Sequence, residues 1–202
     1  MKKLLFSMAF ALMISFISRA AGPYSAGDIA SDFSLKNVKG EMISLSQFAN
    51  AKGFIVVFSC NTCPVAKKYE QRIMDLDKKF SGKGYPVIAI NSNDKVVSPG
   101  DSYDEMQKLA KSKGYSFQYL YDESQEIAKR YGATNTPHVY LLSKVEGNLK
   151  VEYVGAIDNN ADDPVKADKK YVEDAVNALL KNQQIAVQST KAIGCTIKWK
   201  KA

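Results

Sequence analysis

Two cysteines separated by two residues, Cys60 and Cys63, follow directly after a continuous apolar run at residues 54–59. An uninterrupted run of this length is typical of a strand that is buried on both faces of a sheet. From residue 62 to residue 80 the apolar side chains recur three or four positions apart, which predicts an amphipathic helix. The order of strand, cysteine pair and helix therefore restricts the chain to an α/β architecture with a thiol at the start of a helix.

A thiol at the start of a helix is suited to redox chemistry. The unpaired N–H groups and the dipole of the first helical turn stabilise a thiolate, which is the nucleophilic form of cysteine. We expect Cys60, the first and more exposed of the pair, to attack a substrate disulfide. Cys63, held within the helix, is expected to resolve the resulting mixed disulfide, and Pro64 fits the first helical turn.

Two other interpretations of the cysteine pair are open. A structural disulfide that closes so short a loop removes little chain entropy, so it would contribute little stability. A zinc site would need further ligands, and the other soft ligands are the third cysteine, Cys195, and the single histidine, His138. The position of the pair between a buried strand and a helix favours redox chemistry over both.

The remaining pattern predicts a sheet with helices on both faces. Apolar runs predict strands at 86–91, 117–121, 138–143 and 149–154, and periodic segments predict helices that start near Ser102, Asp122 and Tyr171. We expect a capping box at residues 102–105 and a cap from Asp122. Strand–helix–strand units followed by a hairpin and a helix indicate an α/β fold with a central mixed β-sheet.

The two ends of the chain differ from this domain, which we assign to residues 21–181. Residues 1–20 combine Lys2 and Lys3 with an uncharged apolar run and small residues, which predicts a signal peptide cleaved after Ala20 or Ala21. We therefore expect a periplasmic or secreted protein without stable membrane insertion after cleavage. Residues 182–202 form a C-terminal tail without helical or strand periodicity, and we expect it to pack on the domain and to bury Trp199.

Charge argues against nucleic acid as a partner. The formal net charge of +7 falls to +4 when the three basic residues of the predicted signal peptide are removed. The remaining lysines are scattered among acidic residues, as on a solvated surface, and do not form a basic stripe.

Several segments together resemble a known superfamily. They include residues 27–35, the motif at 58–64, residues 89–91 and 120–125, Thr136-Pro137-His138, and residues 194–199. With them the chain resembles the redoxin branch of the thioredoxin-like superfamily, that of alkyl hydroperoxide reductase and thiol-specific antioxidant proteins. The resemblance implies a thioredoxin-like fold in which Pro137 is cis and faces the two sulfurs. It also implies that the backbone of Thr136 pairs with a bound peptide substrate.

The sequence departs from two patterns of this superfamily. Thioredoxins have Trp before the first cysteine, Gly-Pro inside the motif and a buried acid six residues upstream, where this chain has Ser59, Asn61-Thr62 and Phe54. Peroxiredoxins have Pro seven and Thr or Ser three residues before the peroxidatic cysteine. For Cys60 these positions hold Gly53 and Val57, so peroxidase is the weaker enzymatic interpretation.

We therefore predict an exported thiol–disulfide oxidoreductase that exchanges disulfides with protein substrates and with a separate redox partner. The catalytic residues are Cys60 and Cys63, and Thr136 and Pro137 position the substrate. His138 and Cys195 are auxiliary candidates, and for Cys195 we favour a buried packing role. We expect neither a cofactor nor a metal. The alternatives are a thiol peroxidase and a copper(I) chaperone that uses Cys60, Cys63 and His138.

Overall fold

The structure, a computed structural model, describes residues 23–201, so the predicted signal peptide lies outside the described residues. The strands are β1 Ile29–Ala30, β2 Ser34–Asn37, β3 Met42–Ser44, β4 Gly53–Phe58, β5 Val87–Asn91, β6 Gln118–Tyr121, β7 Asn135–Thr136, β8 His138–Val145, β9 Asn148–Gly155 and β10 Cys195–Thr196. The helices are α1 Pro64–Phe80, α2 Tyr103–Lys113, α3 Glu126–Tyr131 and α4 Tyr171–Leu180. Within residues 23–201, no helix combines the length and apolar character that a bilayer crossing requires.

Eight of the strands form one mixed sheet, in the order β1-β9-β8-β4-β5-β6-β2-β3. Strands β4, β5 and β6 run parallel to one another, whereas β8 pairs antiparallel with β4. The apolar run at 54–59 becomes β4, which is central and buried along its whole length. Because β4 lies in the middle of the sheet, its C-terminal end delivers the cysteine motif to the centre of one sheet edge.

Helices cover both faces of the sheet, as predicted. Ile55 and Val57 of β4 point to the face covered by α1 and α4, and α2 packs on the same face near β5 and β6. Phe54, Val56 and Phe58 alternate to the other face, where they pack with α3 and the N-terminal segment. This alternation is the two-residue period of a strand that is buried on both sides.

Of the two helix caps that the sequence predicted, one is absent and the other is present. Helix α2 follows Ser102, but the Ser102 side chain makes no capping hydrogen bond, so the predicted capping box is absent. Asp122 lies upstream of α3, where its carboxylate accepts hydrogen bonds from the backbone N–H groups of Ile127 and Ala128. The carboxylate therefore satisfies unpaired donors of the first turn, as the sequence suggested.

The C-terminal tail runs back along the domain to the end of the sheet that carries the cysteine motif. Strand β10 pairs antiparallel with β7, and Ile197 donates its N–H to the carbonyl of Thr134. Ile197 is 3% exposed, whereas Trp199 is 37% exposed, so the expectation that Trp199 would be buried is wrong. The smaller aliphatic side chain fills the core position, and the indole lies at the surface near the ammonium of Lys129.

Candidate active site

Cys60 lies in the short connection between β4 and α1. Helix α1 begins at Pro64, and Cys63 is the residue that caps it, with its sulfur accepting the N–H of Ala66 at 3.4 Å. We had expected Cys63 inside the helix, but it lies at the helix boundary. Both cysteines are buried, with exposures of 6% for Cys60 and 4% for Cys63, so Cys60 is not the exposed partner that the sequence suggested.

Burial sets the protonation of Cys60. Desolvation raises the pKa of the Cys60 thiol above its ordinary value, and the nearby charge of Asp101 acts in the same direction. The hydroxyl of Thr136 and the backbone N–H groups of Cys63 and Thr62 oppose this effect without overcoming it. The sequence-based expectation of a thiolate stabilised at the helix start is therefore wrong for this state, because removal from water outweighs the helix terminus.

The disulfide of this structure joins Cys63 to Cys195, and Cys60 is a free thiol. The two bonded cysteines are 132 residues apart in sequence and their Cα atoms are 5.9 Å apart. Our expectation that Cys195 is a packing residue is thereby corrected. The cause is the strand pairing, because Cys195 lies opposite Thr136 in the β10–β7 register, directly beside the cysteine motif.

The Thr136–Pro137 peptide is cis, as the resemblance implied. Thr136 lies between the sulfurs: its hydroxyl is 3.2 Å from Cys60 Sγ, and its carbonyl oxygen is 3.3 Å from Cys63 Sγ. The expected peptide-binding role of Thr136 meets a structural constraint, since the β7 edge is already paired with the chain's own β10. In this state the tail occupies the backbone edge of Thr136 to which the resemblance assigned a peptide substrate.

His138 does not join the cysteines. Its ring is buried beside Tyr140, and its Nδ1 accepts the N–H of Thr134 at 3.4 Å. Burial lowers the pKa of His138 to about 4, so the imidazole is neutral at neutral pH. Among residues 23–201 no group of three or more His, Cys, Asp or Glu side chains is arranged to hold a metal ion, so the structure does not assemble the proposed copper site.

Sequence reasoning missed Asp101, which is fully buried beside the motif. Its carboxylate accepts hydrogen bonds from the backbone N–H of Asn61 and the hydroxyl of Thr62, each at 2.6 Å. The Ser98 hydroxyl and the Asn93 amide also donate to it. Burial alone would raise the pKa of Asp101, but these hydrogen bonds outweigh desolvation and hold its pKa below the ordinary value.

The hydrogen bonds to Asp101 give Asn61 and Thr62, the two residues between the cysteines, a structural role. Asn61 additionally donates its side-chain N–H to the carbonyl of Gly100 and accepts the hydroxyl of Tyr119. The loop between Cys60 and Cys63 is thus fixed by a buried carboxylate on a distant loop, in place of the Gly-Pro of thioredoxins. The sequence carried no signal for Asp101, because the contact depends on how the segment before α2 packs against the loop between Cys60 and Cys63.

A cavity of about 410 Å³ borders Cys60. Its wall includes the aromatic side chains of Tyr115, Phe117 and Tyr119, and the exposed side chains of Lys67 and Lys113 lie at its rim. Cys63 and Cys195 do not line it. The cavity therefore borders the residue with the free thiol and neither of the two disulfide-bonded cysteines.

Comparison with known proteins identifies the family of the chain. The sequence model of the AhpC/TSA family matches residues 26–154, which is more than half of the chain. The chain belongs to the AhpC/TSA family. The thioredoxin-like fold expected from the sequence is confirmed by this membership and by the mixed sheet flanked by helices. The structure adds that this family member carries its disulfide between the helix-capping cysteine and the tail.

Three similar proteins illustrate the range of sequence identity and structural similarity. Peroxiredoxin Q, chloroplastic, from Oryza sativa subsp. japonica is 28% identical over 111 residues, 55% of this chain and 48% of that protein. The chain thus spans about half the length of the curated relatives that it matches. An uncharacterized conserved protein from Geobacillus kaustophilus is 35% identical, with a TM-score of 0.80 over 88% of this chain and 93% of that chain. The thioredoxin domain of a thiol-disulfide oxidoreductase from Bacteroides vulgatus, 18% identical, shares the fold, with a TM-score of 0.52 over 65% of this chain and 91% of that domain.

Proposed function

We propose that this protein is an exported thiol–disulfide oxidoreductase that exchanges disulfides with protein substrates. The observation that carries the proposal is the juxtaposition of a free thiol, Cys60, with a disulfide, Cys63–Cys195, in one buried cluster beside a cis-proline loop. A structural staple alone would not need a third cysteine in contact with it. Export rests on the signal-like residues 1–20, and the compartment we propose is the periplasm or the extracellular space.

In the reduced chain the sulfur of Cys60 attacks a partner disulfide. The N–H groups of Thr62 and Cys63 and the hydroxyl of Thr136 surround that sulfur and stabilise its thiolate as it forms. One partner sulfur leaves as a thiolate, and Cys60 carries the mixed disulfide. The thiolate of Cys63 then attacks Cys60 Sγ, releases the second partner sulfur, and leaves one disulfide in this chain and two thiols in the partner.

The oxidised form described here can run the reaction in the opposite sense. A partner thiolate attacks the Cys63–Cys195 bond, and a second partner thiol releases the chain with two free thiols and the partner with a disulfide. Cys195 is half-buried, so it is the more accessible of the two bonded cysteines. Cys63 takes part in both directions, with Cys60 in the first and Cys195 in the second, and the potentials of the partners select between them.

The test is reduction of insulin by the chain in the presence of dithiothreitol. We expect the wild-type chain to accelerate insulin precipitation and Cys60→Ser to fall to the rate of dithiothreitol alone. Ser59→Ala is the matched control, because it neighbours Cys60 without supplying a thiol, and it should retain most of the activity. A Cys60→Ser chain with near wild-type activity would refute the proposal.

A second candidate, thiol peroxidase, is favoured by the cavity. Cys60 is a free thiol that borders a space of about 410 Å³, large enough for a small oxidant, and the peroxiredoxin Q relatives are peroxiredoxins by name. Attack of Cys60 on a hydroperoxide would give a Cys60 sulfenic acid and an alcohol, and a cysteine would then displace water from that sulfur. Consumption of cumene hydroperoxide, measured with and without Cys60, separates this activity from disulfide exchange.

A further inference from the structure

The third cysteine has a defined place relative to the other two. Cys63 Sγ is bonded to Cys195, yet Cys60 lies two residues away in the same cluster, and both motif sulfurs contact Thr136. Cys63 is thus the sulfur that can bond either neighbour. A Cα separation of 5.9 Å between Cys63 and Cys195 lies within the usual range for a disulfide, so this bond needs no rearrangement of the tail.

The tail is held in place by contacts other than the disulfide. Beyond β10, Lys198 accepts the N–H of Asp94 and donates its own N–H to Asn93, and Gln125 donates to the Lys198 carbonyl. Each of these contacts measures 2.8 Å, and Ile197 is buried next to them. Cys195 therefore stays beside Cys63 when its sulfur is a free thiol, at a high effective concentration.

We propose that Cys195 is a third redox residue, which takes over the disulfide from the Cys60–Cys63 pair and carries it on the tail strand. We call this transfer the relay. It rests on the proposed disulfide-exchange function, of which it is the last step within the chain. Cys195 loses its proton to solvent, and its thiolate attacks Cys63 Sγ. The Cys60–Cys63 bond breaks, and Cys60 Sγ leaves with the bonding electrons and takes up a proton. One disulfide is present before and after, so no oxidant is consumed.

Two features favour the tail-bonded state. The N–H groups of Thr62 and Cys63 and the hydroxyl of Thr136 stabilise the departing Cys60 thiolate until it takes up a proton. The pairing of β10 with β7 holds the new bond in place. The outcome is a free Cys60 thiol and a disulfide carried by the tail strand, as in the oxidised form of this structure.

Peptide mapping follows the disulfide directly. Cleavage after lysine places Cys60 and Cys63 in one peptide, residues 53–67, and Cys195 in another, residues 192–198. A Cys60–Cys63 bond leaves the two peptides separate, with alkylated Cys195, whereas a Cys63–Cys195 bond links them and leaves Cys60 alkylated. The reduced full chain is oxidised with one equivalent of 5,5′-dithiobis(2-nitrobenzoate), quenched with N-ethylmaleimide at intervals and mapped by mass spectrometry.

We expect the Cys60–Cys63 bond to appear first and to convert into linked peptides, which at the end exceed the unlinked form at least tenfold. Cys195→Ser should stop at the Cys60–Cys63 bond. In the wild-type chain, a final Cys60–Cys63 bond, or linked peptides that form with no preceding Cys60–Cys63 bond, would overturn the relay. Because no protein substrate is present, this result is independent of insulin reduction, which tests the proposed function.

A glycine pair tests the role of the tail strand without removing any thiol. A Cβ at Gly194 would collide with the backbone carbonyl of Thr136, so Gly194→Ala should displace β10. We expect this variant to shift the final ratio of linked to unlinked peptides at least tenfold toward the Cys60–Cys63 bond. Gly82→Ala is the matched control, since a Cβ there meets nothing within 4 Å and should leave the ratio unchanged. Equal ratios in the two variants would contradict the proposal.

Discussion

Cys195 lies directly opposite Thr136 in the antiparallel pairing of β10 with β7. Thr136 precedes the cis-proline and contacts both motif sulfurs, so this register brings a residue from the last ten positions of the chain to the centre of the site. The tail thereby occupies the edge at which we expected an extended substrate, and it supplies a sulfur at the same point. Any protein partner that pairs with the Thr136 backbone must first displace β10.

Removal of the resolving sulfurs should trap a substrate on Cys60. In a Cys63→Ser/Cys195→Ser chain, no second sulfur is left to release a mixed disulfide once Cys60 has attacked. We expect a stable covalent adduct with an oxidised peptide, detected by mass spectrometry and released by dithiothreitol. The matched control, Cys60→Ser/Cys195→Ser, keeps only the helix-capping Cys63 and should give at least tenfold less adduct. More adduct on Cys63 than on Cys60 would reverse the assigned roles.

The hydroxyl of Thr136 should set the reactivity of Cys60. In the oxidised chain Cys60 is the one cysteine outside the disulfide, so alkylation by iodoacetamide reports on it alone. Its rate should rise with pH, with a midpoint above the ordinary thiol pKa of 9.0, because burial disfavours the thiolate. Thr136→Val removes a hydrogen bond that lowers this pKa, so alkylation at pH 8 should slow roughly fivefold, as expected for about 1 kcal/mol.

Thr136→Ser keeps the hydroxyl and is the conservative variant for this experiment. Its pH profile should overlap the wild-type profile. If the Val and Ser variants have the same profile, the 3.2 Å contact between Thr136 Oγ1 and Cys60 Sγ does not act on the thiol.

The parts of the fold that the sequence predicted are those encoded by local patterns. The buried run that became β4 and the three-to-four periodicity of α1 each depend on the burial of neighbouring residues in one element. The cysteine motif could be placed at the helix start for the same reason. The cis Thr136–Pro137 peptide came from the family resemblance, and composition or periodicity would not have revealed it.

The missed features depend on contacts between distant segments. The bond from Cys63 to Cys195 spans 132 residues, and a tail without periodicity gives no register from which to infer it. Asp101 reaches the motif from a different loop, so nothing in the local sequence marks it. The raised pKa of Cys60 follows from tertiary burial, which opposes the helix-start effect that the sequence alone suggested.

Asp101 should stabilise the oxidised chain through the motif loop. Asp101→Asn replaces a buried anionic acceptor of several hydrogen bonds by a neutral one with a single acceptor oxygen. We expect a loss of about 2–3 kcal/mol in the free energy of unfolding in urea at pH 7. Asp104→Asn, an exposed change in the first turn of α2, should cost no more than about 0.5 kcal/mol.

The pH dependence of the unfolding free energy provides a second test of the role of Asp101. Because its folded pKa lies below the ordinary value of 3.8, its stabilisation is present above that value and disappears as pH falls through the folded pKa. The difference between the wild-type chain and Asp101→Asn should therefore shrink in strongly acidic solution. If the difference in unfolding free energy between the two chains does not change down to pH 2, the charge of Asp101 is not the source of its stabilising effect.

The last prediction concerns His138, whose folded pKa is about 4 against an ordinary value of 6.5. Between these values the unfolded chain binds a proton at His138 that the folded chain does not, so the contribution of His138 to stability falls as pH drops below 6.5 and levels off below 4. The two values together correspond to a loss of roughly 3 kcal/mol between pH 7 and pH 4. The sequence contains one histidine, so no other imidazole contributes to this loss.

His138→Gln provides the comparison, because glutamine does not titrate and the carboxylates of both chains contribute equally. We expect the difference in unfolding free energy between the two chains to be constant from pH 7 to pH 9 and to shift by roughly 3 kcal/mol in favour of the variant by pH 4. Urea unfolding of the oxidised chains at each pH measures it. Parallel loss of stability in the two chains would show that His138 is solvated in its charged form. Alkylation of Cys60 should be the same in both chains at pH 8, since the neutral, buried imidazole makes its hydrogen bond to Thr134 and not to the thiol.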